Sequence, residues 1–136
     1  MDDSLQETRN KDIQDSPKIP GVEEVLAICK LLEEHKGVNV TALDLRKLNL
    51  WTDFFVIATV SSSTHLQGLL RHIKDFAGDQ GLNIRRRTQQ EKNVLTDNSW
   101  NLVDMGTVVV HLMTAQSREF YELEVLWGSA GRVYPA

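Results

Sequence analysis

The chain has 136 residues, 41% of them hydrophobic and 25% charged, enough for one domain with a real core and too few for two ordinary ones. Its formal charge of −4 argues against a general affinity for nucleic acid, which comes mainly from neutralising phosphates with Lys and Arg. A lone cysteine, Cys29, excludes an internal disulfide and fits a reducing compartment.

No apolar stretch approaches the roughly 18 residues of a membrane span. The start, MDDSLQETRNKDIQDSP, is polar and acidic, unlike a signal or transit peptide, so the expected location is cytoplasmic. Residues 1–20 lack periodicity and predict a disordered acidic tail. From Gly21, VEEVLAICKLLEEHKG places Val22, Val25, Leu26, Cys29 and Leu32 at helical spacing, with Gly37 as a stop. VNVTALDLRKL reads as a strand. The apolar run Phe54–Val60 predicts a central strand buried on both faces.

That strand ends at Ser61-Ser62-Ser63-Thr64-His65, where a second helix begins. Leu66, Leu69, Leu70, Ile73, Phe76 and Ala77 form one apolar stripe, with Ser62 or Ser63 as N-cap and Gly81 at the C-cap. Gly68 interrupts the helix at a cost of about 1 kcal/mol relative to Ala, which predicts a close approach to the sheet. LNIRR reads as a short strand. WNLVD and TVVVHLM flank a hairpin turn at Asp104–Thr107. SREFYELEVLW predicts the last helix, within a domain of residues 21–128, and residues 129–136 read as a C-terminal tail. The order α-β-β-α-β-β-β-α predicts an α/β fold, a two-layer sandwich with a mixed sheet of about five strands.

A strand that runs through serines into a helix is where α/β proteins hold phosphates, and it resembles the start of a nucleotidyltransferase domain. That chemistry needs paired acids to hold metal ions against the triphosphate. The one acid-x-acid pair, Glu122-Leu123-Glu124, falls on the predicted last helix, where its carboxylates point about 200° apart. Asp44, Asp53 and Asp104 are lone acids at or near strand ends, and no Gly-rich phosphate loop or GxSxG elbow is present. No catalytic residue and no metal ligand set is assigned. His65 and His72 lack a third ligand, His111 reads as a sheet histidine with one satisfied nitrogen, and Cys29 as a core residue. Arg85-Arg86-Arg87 reads as a solvated strand end or loop, with a phosphate contact as the other possibility. A nucleotide-binding or nucleotidyltransferase domain using the Ser61–His65 loop stays as the alternative, and a homodimeric scaffold with another partner as a third.

The last helix is broader than one sheet face requires. From Phe120 to Trp127 its apolar residues cover about 260° of arc, against about 100–140° for a helix packed on a sheet. Part of that face, with Tyr121 and Trp127, and Trp100 at a strand start, are candidate interface anchors. Asp97, Asp104, Glu119, Glu122 and Glu124 lie beside them, which suits a basic protein partner.

ALDLRKL, TDFFVIAT followed by SSxxH, W-x-L-V-D-x-G-x-V-V-V-H and SREFYELEVLW together resemble the Iojap-like ribosomal silencing factor family, over about residues 21–128. The resemblance implies a nucleotidyltransferase-like fold lacking catalytic acids, a homodimer, no cofactor and no enzymatic activity. It also implies binding to the large ribosomal subunit through its ribosomal protein fourteen. That would block subunit association and repress translation when nutrients are scarce. Membrane binding and specific nucleic-acid binding, beyond incidental rRNA contact, are not expected. On this reading Trp100, Tyr121 and Trp127 anchor the partner, Asp104 and Glu124 face its Lys or Arg, and Asp53 is a weaker candidate. One departure stands out: the family has Gly where this chain has Val60, and a left-handed φ there would strain a valine.

Overall fold

The computed structural model describes residues 20–48, 50–87, 100–122, 125, 128 and 130–135. Helix α1 (Val22–Glu34) leads into β1 (Val38–Asp44), a 3-10 turn (Arg46–Leu48) and β2 (Phe54–Thr59). Next come α2 (Ser63–Gln80), β3 (Arg86–Arg87), β4 (Trp100–Asp104), β5 (Val108–Met113), α3 (Ala115–Tyr121) and β6 (Gly131–Tyr134). The six strands form one mixed sheet in the order β3-β4-β5-β2-β1-β6.

The two continuous apolar strands take the centre. β2 and β5 pair in parallel, from Phe54 with Val108 to Thr59 with Met113, and every residue of both is buried. Such strands lack alternation because both faces are covered. On one face α1 and α2 press Ile28, Leu32, Leu66, Leu69 and Ile73 onto Phe54, Val56, Val108 and Val110. This is the expected α/β sandwich. A smaller cluster of Leu43, Leu45, Phe55, Ile57, Val109 and Met113 fills the opposite face. α3 is tied to that face by Arg118, whose guanidinium donates to Thr59 Oγ1 and Thr41 Oγ1, each at 3.1 Å.

Several boundaries differ from the expectation. The buried stripe of α1 is Val25, Ile28, Cys29 and Leu32, while Val22 and Leu26 lie outside it and are exposed. Burial pushes the Cys29 thiol up to about 12, with Glu33 adding to the effect, as suits an inert core residue. Residues 131–134, expected as tail, form β6 and pair antiparallel with β1, Leu43 opposite Arg132 and Asp44 opposite Gly131. Four residues, beginning at Gly131 and stopped by Pro135, are too few to show a period, but Val133 and Tyr134 pack on the main core and the Tyr134 hydroxyl donates to Glu33. The strand expected over LNIRR, residues 82–86, shifts to β3 at Arg86–Arg87 and shares only Arg86 with it.

α3 ends at Tyr121, where SREFYELEVLW predicted a helix through Trp127. Glu122 takes a left-handed φ of 46° and its N–H donates to the Arg118 carbonyl. No Gly marks this stop, so the turn is a tertiary effect. The 260° arc therefore does not belong to one helix. Gly68 does not approach the sheet either: a Cβ there would meet nothing within 4 Å. Val60 is unstrained, since its φ is not positive, and its N–H donates to the Met113 carbonyl at 2.8 Å.

Candidate partner-binding site

The antiparallel register of β4 and β5 sets Trp100 opposite Met113, Leu102 opposite His111 and Asp104 opposite Val109. Alternation then puts Trp100, Leu102 and Asp104 on one face of β4, half-buried, while Asn101 and Val103 point into the other core. At the Trp100 end the indole Nε1 donates to His111 Nδ1 at 2.9 Å. Phe55 meets the imidazole edge-on, with centroids 4.4 Å apart, and Tyr121 meets the indole at 4.6 Å. Phe120 stacks edge-on against Tyr121. Burial falls outward along this ladder, from Phe55 at 6% exposure to Tyr121 at 41% and Phe120 at 76%. An aromatic surface with a buried support is the usual form of an interface anchor.

His111 accepts at Nδ1, so its proton is on Nε2, which finds no partner among the described residues. Burial pushes its pKa down to about 3, so the ring is neutral at physiological pH.

The structure brings together only part of the expected set. Trp100 and Tyr121 touch. Asp104 shares the Trp100 face but lies about 13 Å along the strand, where its carboxylate accepts from Gly106 N at 2.8 Å and shapes the turn. Gly106 there has φ +88°, which a side chain rarely adopts. Asp53 sits at that same end, its N–H donating to the Thr107 carbonyl. Glu124, Trp127 and Asp97 lie outside the described residues. Phe120, His111 and Phe55 were not among the expected site residues. The signal for His111 was a lone polar residue within VVVHLM, and its meaning depends on a register that sequence does not show.

The serine loop uses its polar groups locally. Ser62 Oγ accepts from His65 N at 3.0 Å as the N-cap of α2, and Ser61 N donates to His65 Nδ1 at 3.1 Å. His65 Nε2 then donates to the His35 carbonyl at 3.0 Å, closing the C-terminus of α1. Asp44 is held by Arg46 Nε and Nη2 at 2.9 and 2.7 Å, which keeps its carboxyl below the usual range. Among the described residues no group of three or more His, Cys, Asp or Glu could hold a metal ion, and no helix is long and apolar enough to cross a membrane.

Comparison with known proteins agrees across sequence and structure. Residues 18–135 match the family described as ribosomal silencing factor during starvation (RsfS). The ribosomal silencing factor of Halalkalibacterium halodurans is 34% identical over 75% of this chain and 83% of its own length. A mouse relative, named mitochondrial assembly of ribosomal large subunit protein 1, is 28% identical over 74% of this chain and 43% of its own. A crystal structure of a Chromobacterium violaceum protein superposes with a TM-score of 0.68 at 29% identity, covering 80% of this chain and 88% of that one. The sequence motifs, the fold and these matches converge: the chain belongs to the ribosomal silencing factor family.

Proposed function

We propose that this chain docks on the large ribosomal subunit through ribosomal protein fourteen and keeps the small subunit from joining, so repressing translation under nutrient limitation. The role is steric and non-enzymatic, and the setting cytoplasmic. Subunits join over a broad surface, so a 15.4 kDa domain on one bridging protein blocks them without chemistry. The names of the relatives support a ribosomal role, and the mouse relative's name supports the large subunit.

The observation that carries the reading is the supported aromatic surface of Trp100, Tyr121 and Phe120 on an acidic chain. Trp100 and Tyr121 anchor the partner. Asp104, with Asp53 at the same strand end, faces Lys or Arg farther along the same face, while Glu124 and Trp127, expected to join the contact, lie outside the described residues. A homodimer is the expected free form, which sedimentation equilibrium measures.

Co-sedimentation with purified subunits at moderate salt tests the proposal. Large subunits should carry the protein down and small ones should not, and adding it should reduce joined ribosomes in a sucrose gradient. Equal recovery with both subunits, or undiminished joining, overturns it.

A further inference from the structure

Packing alone does not account for His111. Its Nε2–H is buried without a partner among the described residues, a standing destabilisation that an apolar residue in the same slot would avoid. Its same-face strand neighbours Val109 and Met113 are apolar and buried in the smaller cluster with Phe55, so the surroundings of the slot suit an apolar chain. What the imidazole supplies, and Leu or Phe could not, is an acceptor for the Trp100 indole.

We propose that His111 is a positioning residue: its Nδ1 fixes the rotation of the Trp100 ring so that Trp100 and Tyr121 present one rigid aromatic surface to the partner. This rests on the docking surface proposed above. The register makes Trp100 and His111 diagonal neighbours on one face, within reach of long side chains. Phe55 clamps the imidazole from the core side at 73°, and Tyr121 takes up the indole on the other. Trp100 stands at the first residue of its strand, where the hydrogen bond selects one ring orientation. An anchor already fixed loses less freedom on binding. The same burial keeps the imidazole neutral, and only a neutral ring has a lone pair to accept with.

Three variants of the full chain test this. His111→Phe keeps a ring without an acceptor, His111→Leu does the same with less volume, and His111→Asn places an amide oxygen near the site of Nδ1. The readouts are melting temperature, the Trp100 indole N–H resonance, and affinity for purified large subunits. Phe, or Leu where Phe overpacks, should melt at or above the wild type and move the indole resonance upfield. It should weaken large-subunit binding roughly five- to tenfold, and Asn should restore most of it. Binding within twofold of wild type after the indole bond is lost overturns the proposal. So does a parallel fall of melting temperature and binding with no rescue by Asn, which is what a packing role gives. A wild-type chain that ignores large subunits overturns the docking reading instead, and the indole resonance with its side-chain relaxation still decides the positioning.

Discussion

Arg118 of α3 donates to Thr59 Oγ1 of β2 at 3.1 Å, a side-chain bond between residues 59 positions apart in sequence. The same guanidinium reaches Thr41 and the Val38 carbonyl, so one buried residue, 8% exposed, ties the last helix to two strands. α3 has only seven residues, too short to hold itself. Arg118 therefore sets where Tyr121 and Phe120 stand. Arg118→Ala should cost about 3 kcal/mol, since it removes charge-assisted bonds and strands buried acceptors. Urea unfolding measures this. Unchanged stability would mean that α3 is held by other contacts.

Removing the anchors should separate binding from folding. Phe120 is 76% exposed, so Phe120→Ala should leave the melting temperature within about 1 °C, as surface substitutions do. Trp100→Ala should fold, at some loss of stability, and lose co-sedimentation with large subunits. Each should weaken binding at least tenfold if these rings are central to the interface. Full co-sedimentation by a folded Trp100→Ala variant excludes Trp100 as an anchor.

How much of this could be read from sequence follows from the range of the forces involved. The central strand, the serine cap, Gly81 and the Asp104–Thr107 turn were legible, because each rests on neighbouring residues alone. Trp100 and Tyr121 were legible as aromatics in the motifs, and in the fold Trp100 is half-buried and Tyr121 exposed. Their contact was not, nor was the support from His111 and Phe55, because β4–β5 register and the early stop of α3 are set by distant packing. β6 was missed for the same reason. Its four residues become a strand only because β1 offers an open edge.

The pH dependence of stability should report on His111. A folded pKa of about 3 against 6.5 for a free histidine means that the unfolded chain takes up the extra proton between those values. The contribution is therefore complete above about pH 6.5 and is lost as pH falls, by about 1.4 kcal/mol per pH unit within the window. Denaturant unfolding from pH 6.5 to 4.5 should show a shallower slope in His111→Phe than in the wild type. The other three histidines are common to both proteins, so the difference isolates His111. Parallel curves would mean that the buried ring takes a proton as easily as a free one.

Two glycines of α2 should respond in opposite directions. Gly68 has open space where a Cβ would go and lies within the helix, so Gly68→Ala should stabilise by about 0.5–1 kcal/mol. Gly81 has φ +69° at the C-cap, so Gly81→Ala should destabilise by about 1 kcal/mol. Melting curves of the pair check this. A loss at Gly68 would mean that the groove beside His35, His65 and His72 is filled in solution.

His65 tests what the serine run is for. Its Nδ1 accepts from Ser61 and its Nε2 donates to His35, so one ring joins the start of α2 to the end of α1. A nucleotide loop would leave such groups turned to the ligand, whereas here they bond to one another and to the His35 carbonyl. His65→Leu keeps the bulk and removes both bonds. It should cost about 1–2 kcal/mol, while the folded variant binds large subunits as well as the wild type, since the aromatic surface is carried by β4 and α3. Calorimetry with ATP or CTP and Mg²⁺ should give no heat with either protein. Heat from the wild type that His65→Leu abolishes would return the loop to the role of a phosphate site, and unchanged stability would remove its role as a latch.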